Sequence, residues 1–394
     1  MTSEPEPTSQ LPQDDFTNDL IGATEYTFDK PKKKDFLPWH KPRKQFVREK
    51  QWAEQISLLI TETPADSGMI KYLGLPGDDL LDLRHFHDKI CVPNNLKLKF
   101  LGFNKGIKPG STHKAELEVS LDEVSRLSHI DAGSQLISDD LTSIALQRSI
   151  AWDKSQSMGP YDVINIDLCD GFAKQPVNDF KETHYNTLSR LMTLQARRPT
   201  PWLLLLTTRT DSDGVDGGVF QRLKDVYLEN LNNCTGFLTA SGECFSVSDA
   251  EQLHSYCSHS VGFSNIFLTA ICKWISKIGI QQNPASKVEL KNVFGYKVKP
   301  DAESPDLISI AVKVIPTFNT ATDTVGLANQ ASDVIDECVL ASRILKRVHK
   351  QKDVDQILSE SEELMAEMLQ ATTSLLEKAR YDTSGFETWA KEAS

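Results

Sequence analysis

The stretch Tyr161–Phe172 constrains the fold more than any other part of this sequence. It reads YDVINIDLCDGF, so a β-branched apolar run is followed directly by Asp167, Asp170 and Gly171. Valine and isoleucine favour a buried strand. In open α/β sheets, ligands bind at the carboxyl ends of the strands. The stretch therefore predicts a buried parallel strand whose end faces a ligand, with an ordinary strand and turn carrying solvated acids as the alternative.

Short apolar runs alternate with helical patterns along the first half of the chain. The expected strands are 70–73, 96–103, 135–138, 163–166 and 202–207, and the expected helices are 78–90, 120–130, 141–152 and 181–197. This alternation indicates βαβ units and a mostly parallel sheet with helices on both faces. The run 202–207 is apolar at consecutive positions, which is typical of a strand covered on both sides.

The second half begins with helical patterns at 219–231, 251–259 and 265–278. Two strand-like runs, 287–299 and 307–317, then follow one another without a helix between them. Adjacent strands of this kind predict an antiparallel hairpin added to the sheet.

The two ends of the chain differ in composition from the part between them. Residues 1–30 are rich in Ser, Thr, Pro and acids, which predicts a disordered leader. Residues 31–64 form a basic, aromatic arm that becomes helical near Arg43. Residues 318–394 are expected to be a helical extension of a central domain that spans 65–317.

The helical extension contains two amphipathic patterns. The first covers 327–349, and the second is an apolar heptad seam formed by Val354, Leu358, Ser361, Met365, Met368, Thr372, Leu375 and Ala379. Such a seam fits helices that pack on their own domain. It also fits a coiled coil between chains or a surface for a partner protein.

The charge of the chain is unevenly distributed. The net charge is −12, yet residues 30–50 hold nine Lys or Arg against two acids, so this segment carries +7 and the remainder −19. The arm predicts contacts with nucleic-acid phosphates and bases, or with an acidic protein; a solvated charge run is the alternative. The residues expected to make these contacts are Lys32, Lys33, Lys34, Trp39, His40, Lys41, Arg43, Lys44 and Arg48.

Seven scattered cysteines without a CxxC pair predict reduced thiols in a cytoplasmic protein. No apolar run is long enough for a membrane span, and the polar N-terminus does not resemble a signal peptide. His85 and His87 are the only close histidine pair, and no second ligand pair accompanies them, so no metal site is expected.

The order of the elements resembles the Rossmann-like fold of class I S-adenosylmethionine-dependent methyltransferases over residues 65–317. The resemblance implies that the loop from Gly74 to Gly77 approaches the amino-acid part of the cofactor. It places Asn104 at the ribose and Asp139 or Asp140 at the adenine. Asp167 or Asp170 would face the methionine part or the methyl acceptor, and Asp167 and Asp170 are the candidate catalytic residues.

Two positions depart from the pattern of that family. The glycine loop is GxxG with a proline inside, and Asn104 stands where an acid usually holds the ribose. The resemblance implies a protein that binds S-adenosylmethionine, and the basic arm predicts that it acts on or with a nucleic acid. The alternative is a catalytically inactive scaffold or regulatory subunit of a larger assembly. His184, which begins a helix after the fourth strand, is a candidate general base or a solvated side chain.

Overall fold

The computed structural model describes residues 33, 35–63, 68–105, 112–176, 181–299, 302–317 and 336–392. The expected disordered leader, 1–30, and the expected contact residues Lys32 and Lys34 lie outside these ranges. So does the first part of the amphipathic pattern expected over 327–349.

The described strands form one eight-stranded sheet in the order β3-β2-β1-β4-β5-β7-β6-β8. The strands are β1 (Met69–Gly74), β2 (Lys97–Phe103), β3 (Gln135–Ile137), β4 (Val163–Asp167), β5 (Trp202–Arg209), β6 (Ser286–Tyr296), β7 (Leu307–Pro316) and β8 (Lys352–Asp353). Strands β1 to β5 are parallel, and β7 runs antiparallel to both β5 and β6. The predicted Rossmann-like, methyltransferase-type α/β fold with a terminal antiparallel hairpin is confirmed.

The alternation of side chains across the sheet builds two separate cores. Tyr72, Phe100, Val163 and Leu203 lie in register on neighbouring strands and belong to the core on one face. The residues that follow them, Leu73, Leu101, Ile164 and Leu204, belong to the core on the other face. Because both faces are covered, most positions on these strands are apolar, although Lys71, Lys99 and Asn165 interrupt them, and this is why they could be recognised from the sequence.

The helices of the first half surround the sheet. They are α1 (Pro42–Val47, a π-helical segment Arg48–Ala53, and Glu54–Glu62), α2 (Leu81–Phe86, a π-helical segment His87–Cys91, and Val92–Asn94), α3 (Thr112–Ser125), α4 (Ile150–Met158) and α5 (His184–Gln195). The helix expected over 120–130 begins earlier, at Thr112. The helix expected over 141–152 is instead a 3₁₀ turn, Leu141–Ala145, followed by α4, because the Ser149 side chain caps the new helix at the backbone N–H of Trp152.

The helices of the second half are α6 (Gly217–Asn233), α7 (Thr235–Phe245), α8 (Ala250–Cys257), α9 (Ser260–Gln281), α10 (Glu337–His349), α11 (Val354–Ser359), α12 (Glu362–Lys378) and α13 (Phe386–Glu392). The sequence did not predict α7. Nor did it predict the break between α11 and α12, where the Ser361 hydroxyl accepts a hydrogen bond from Leu364 N and starts a new helix.

The arm and the C-terminal extension share the cores of the central domain. Phe46, Val47 and Trp52 of α1 are buried in the same cluster as Tyr72 of β1, and so are Val354 and Met368 of the heptad seam. Strand β8 extends the sheet beside β6. The expectation that the C-terminal helices pack on their own domain is confirmed.

One expectation about the cysteines is wrong. Cys234, just before α7, forms a disulfide with Cys338 of α10, and the two are 104 residues apart in sequence. The pairing depends on the packing of α10 against α7, which the spacing of the cysteines along the chain does not show. Among the described helices, none is long and apolar enough to cross a membrane.

Candidate functional site

The carboxyl ends of β1 to β5 meet at one edge of the sheet, and the chain reverses its direction across the sheet between β1 and β4. Crevices at such reversal points are the usual ligand sites of open α/β sheets. Gly74 ends β1 and is buried, and a Cβ there would lie 2.5 Å from the Tyr72 hydroxyl. Gly77 is exposed, and a Cβ there would meet no atom within 4 Å. The loop is therefore packed against the Tyr72 side chain at Gly74 and open to solvent at Gly77.

Asn104 follows β2 and is bound to the glycine loop. Its side-chain N–H groups donate to the carbonyl oxygen of Pro76 at 3.3 Å and to Oδ1 of Asp78 at 3.0 Å. Its backbone N–H donates to the carbonyl oxygen of Ile137 in β3 at 3.0 Å. The residue therefore holds the ends of β1, β2 and β3 together.

Asp139 and Asp140 follow β3 and form a tight turn. Oδ1 of Asp139 accepts from Ser143 at 2.8 Å, and Oδ1 of Asp140 accepts from the backbone and hydroxyl of Thr142 at 2.9 Å. Burial alone raises the pKa of Asp140, but the bonds from Thr142 and the nearby Lys105 ammonium more than offset it, and its pKa lies below the usual range. Both carboxylates are at the edge where the sequence predicted them.

The two acids after β4 differ in their surroundings. Asp167 is 17% exposed, and its Oδ1 accepts a hydrogen bond from the ammonium of Lys44, which is 5% exposed. Asp170 is 57% exposed and pairs with Lys174 at 2.7 Å, while also accepting from the backbone N–H of Gly171. Asp167 therefore belongs to the crevice, whereas Asp170 caps a surface turn.

Lys44 is a charged group inside the protein. Burial by itself lowers the pKa of Lys44, but the carboxylate of Asp167, together with Tyr296 and Asp82, raises it above its usual value. The ammonium also lies 4.4 Å from the centre of the Trp52 ring and 3.5 Å from the Tyr296 hydroxyl. Lys44 is therefore charged beside the candidate catalytic acid.

Asp79, in the loop after Gly77, was not singled out from the sequence. It is buried and accepts hydrogen bonds from the Lys33 ammonium and, at 2.8 Å, from the Tyr381 hydroxyl, with His40 Nε2 3.6 Å away. Burial alone raises the pKa of Asp79, but the bonds with His40, Lys33 and Tyr381 hold it far below the usual range. Both ends of the described chain thus meet at the glycine loop, where Lys33 and Tyr381 also form a β-bridge.

The structure corrects the interpretation of the basic arm. His40, Lys41, Lys44 and Arg48 are at most 5% exposed, because they pair with groups of the domain. The Lys41 ammonium donates to the carbonyl oxygens of Trp389 and Ala390 at the end of α13, and Arg48 donates to Asp82 at 2.7 Å.

Two further arm cations also bind within the chain. Lys33 pairs with Asp79, and Arg43 donates to the carbonyl oxygen of Lys297 and lies 3.3 Å from Asp355. Among the expected contact residues that the structure describes, Trp39 is the most exposed, at 41%. The buried cations are not available to the phosphates of a nucleic acid.

His184, the candidate general base, packs against Phe172, and His85 is buried. His184 Nδ1 lies 3.2 Å from the carbonyl oxygen of Phe172, and its ring stacks on that of Phe172. Burial lowers the pKa of His184. Burial, with Arg48 and Lys89 nearby, lowers the pKa of His85 to about 3. No group of three potential ligands for a metal ion occurs among the described residues.

Three solved structures are similar to this chain at low identity. A protein from Listeria monocytogenes described as a class I S-adenosylmethionine-dependent methyltransferase (lmo1582) has 10% identity and a TM-score of 0.34, with 76% of this chain and 69% of that chain covered. Magnesium protoporphyrin IX methyltransferase (ChlM) from Synechocystis PCC 6803, with bound SAM, has 10% identity and a TM-score of 0.32, with 79% and 100% covered.

The third is described as a spermidine synthase from Corynebacterium glutamicum ATCC 13032, with 12% identity, a TM-score of 0.29, and 71% and 67% covered. At such low identities and TM-scores, none of the three transfers its activity or ligand to this chain. No curated protein matches the sequence. A family model described as PP_RS20740-like matches residues 33–391, and the chain therefore belongs to the PP_RS20740-like family.

Proposed function

We propose that this protein binds S-adenosylmethionine at the carboxyl edge of the sheet and transfers its methyl group. The observation that carries the proposal is the open glycine loop at the point where the chain reverses between β1 and β4. Gly77 leaves space where a ligand can approach the backbone. When bound, S-adenosylmethionine supplies a methyl group on a positively charged sulfur, which keeps the bonding electrons as the acceptor takes the carbon.

The residues present fit such a ligand. The backbone around Gly77 would receive the amino-acid part, Asn104 would lie toward the ribose, and Asp139 or Asp140 toward the adenine. The carboxylate of Asp167 would face the positively charged end of the ligand. Charge complementarity supports this arrangement, because the sulfonium and the amino group are cationic.

The backbone of the glycine loop gives a second argument. Leu80, which precedes α2, has φ 50° and ψ 35°, although it is completely buried. A left-handed conformation is costly for a branched residue other than glycine and persists only where the surroundings enforce it. Such strain is concentrated at binding sites, so the conformation of Leu80 supports a functional role for this loop.

Calorimetric titration with S-adenosylmethionine and with its demethylated product tests the proposal. Gly77→Val should weaken binding at least about tenfold by filling the space beside the loop, while leaving the melting temperature unchanged, because no atom is displaced. Gly385→Val is the matched control, since a Cβ there also meets no atom within 4 Å. Absence of heat at millimolar ligand would refute the proposal.

An inactive scaffold is the second candidate, and two contacts favour it. The amide of Asn104 is used to hold the glycine loop, and Lys44 already neutralises Asp167. A protein that is folded and stable but shows no binding in the same titrations would support this reading.

A nucleic-acid partner is better supported by α10 than by the arm. Arg343 and Arg347 lie on one face of α10, and Lys350 directly follows the helix. All three are exposed and form no ion pair with any residue in the described ranges. With Lys346 they border a groove of about 280 Å³ beside β6. A row of cations of this kind contacts phosphates.

The affinity for a labelled 20-base-pair DNA can be measured by fluorescence anisotropy at two salt concentrations. Arg343→Glu with Arg347→Glu should reduce the affinity and its salt dependence. Arg222→Glu with Lys277→Glu, a pair of exposed cations on α6 and α9, changes the net charge equally and is the control. Preference for a poly-glutamate peptide over DNA would indicate an acidic protein partner, and equal effects of the two double variants would indicate no site.

A further inference from the structure

A cavity of about 320 Å³ lies between the arm, the end of β4 and the β6–β7 hairpin. We call it the arm cavity; its walls include Trp39, Lys44, Asp167, Leu168, Val298 and Trp389. Its volume is within the range of small-molecule sites, which begins at roughly 300 Å³. It lies on the side of Asp167 that faces the arm, whereas the glycine loop follows the neighbouring strand, β1.

The walls of the arm cavity are mostly apolar and partly exposed to solvent, although Lys41, Arg43 and Lys297 also line it. Trp39 and Val298 are each 41% exposed, although most large apolar side chains of the described chain are buried. Exposed apolar surface in a concave site is typical of a surface that a ligand covers. The indole of Trp39 offers a flat face on which an aromatic ring can stack.

The floor of the arm cavity carries a buried ion pair. Lys44 donates to Oδ1 of Asp167, and its side chain is 95% buried. Oδ2 of Asp167 has no hydrogen-bond partner among the described residues, and 17% of the side chain is exposed. A carboxylate oxygen accepts hydrogen bonds only. The floor therefore selects a ligand that presents an N–H or O–H group.

We propose that the arm cavity binds the methyl acceptor, and that the acceptor is a small aromatic or heteroaromatic molecule with an N–H or O–H group directed at Asp167. The proposal rests on the function proposed above. Trp39 stacks on the ring, and Asp167 orients the nitrogen or oxygen that gains the methyl group. The proton displaced from that atom passes to Oδ2 of Asp167 and then to water. Because the arm forms one wall, its buried cations serve to position this wall and the floor.

A matched pair of probes tests the proposal on the full-length protein. Benzimidazole has a ring N–H, and 1-methylbenzimidazole has the same ring without it. Titration followed by calorimetry and by tryptophan fluorescence should show that benzimidazole binds about tenfold more tightly, as expected for a hydrogen bond to a charged group. Trp39→Ala should weaken both probes, whereas Leu58→Ala, at another exposed apolar side chain, 51% exposed, should weaken neither.

Asp167→Asn should abolish the difference between the probes, since Lys44 orients the amide oxygen toward itself and the amide N–H₂ then faces the ligand. If this variant does not fold, the probe pair and Trp39→Ala decide the question. Equal affinity of the two probes, no binding at millimolar concentration, or an unchanged affinity in Trp39→Ala overturns the proposal. The titration with S-adenosylmethionine on the same samples shows separately whether the proposed function holds.

Discussion

The ion pair between Arg48 of the arm and Asp82 of α2 provides a sharp test of how the arm is built into the domain. The Nε to Oδ1 distance is 2.7 Å, and the two side chains are 3% and 7% exposed. Removing one partner of a buried pair leaves an uncompensated charge and costs about 3–5 kcal/mol. We expect Asp82→Asn to lower the free energy of unfolding by that amount, and the melting temperature by about 6–10 °C, at roughly 2 °C per kcal/mol.

The double variant Arg48→Met with Asp82→Leu should recover most of this loss, because apolar side chains replace both buried charges. Melting followed by circular dichroism, with urea unfolding as a second measurement, gives the stabilities of the natural protein, of Asp82→Asn and of the double variant. Asp122→Asn is the matched control: Asp122 pairs with Arg126 on the surface, with the two side chains 50% and 78% exposed, so it should change stability by less than about 1 kcal/mol. If Asp82→Asn melts as the control does, the arm is not packed as described.

Three further predictions concern pH, the disulfide and the glycine loop. Burial lowers the pKa of His85 to about 3 from 6.5, so below pH 6.5 the unfolded chain binds a proton that the folded chain does not. The free energy of unfolding should therefore fall by about 2 kcal/mol from pH 7 to pH 5. In urea unfolding, His85→Gln should flatten this pH dependence. Reduction of the disulfide should lower the melting temperature of the natural protein, because the bond contributes about 2–5 kcal/mol to the free energy of unfolding. The same reducing agent should not change the melting temperature of Cys338→Ser, which lacks the disulfide. Tyr381→Phe removes the hydrogen bond to Asp79 and should cost about 1–3 kcal/mol in thermal melts, and an unchanged melting temperature would contradict it.

The central strands were predictable because they are buried on both faces. Strands β1 to β7 lie within three residues of the expected positions, and the apolar pattern is strongest in β5 and β7, whereas β3 has three half-buried residues. The two-residue strand β8 has no such signal. Helix α7 was missed because TGFLTASGECF contains two glycines and three β-branched or small polar positions that weaken the helical pattern.

The candidate site was only partly predictable. The acids at the strand ends were found, because strand boundaries place them at one edge. Their partners were not, because Lys44 is 123 residues from Asp167, and Tyr381 is 302 residues from Asp79. The arm was misinterpreted for the same reason. Its composition shows how many cations it has, but only the packing of α1 shows that Lys44 and Arg48 are buried.

The C-terminal extension contributes residues to the cores of the domain, and its removal gives the last prediction. In the described part of the chain after residue 317, eleven leucine, isoleucine, valine, methionine and phenylalanine side chains are at most 8% exposed, namely Leu340, Ile344, Leu345, Val348, Val354, Leu358, Met368, Leu369, Leu375, Leu376 and Phe386. At about 1.5–3 kcal/mol each, their burial contributes on the order of 20 kcal/mol, which exceeds the typical net stability of a protein, about 5–15 kcal/mol.

A chain ending at Thr317 should therefore aggregate or fail to show a cooperative melting transition, whereas removal of residues 393 and 394 alone should have no effect. Circular dichroism and size-exclusion chromatography of the two truncated proteins provide the comparison. The truncation also removes Tyr381 and Trp389, which contact Asp79 and line the arm cavity. A stable, monomeric 1–317 fragment would show that the extension is a separate module, contrary to the packing described above.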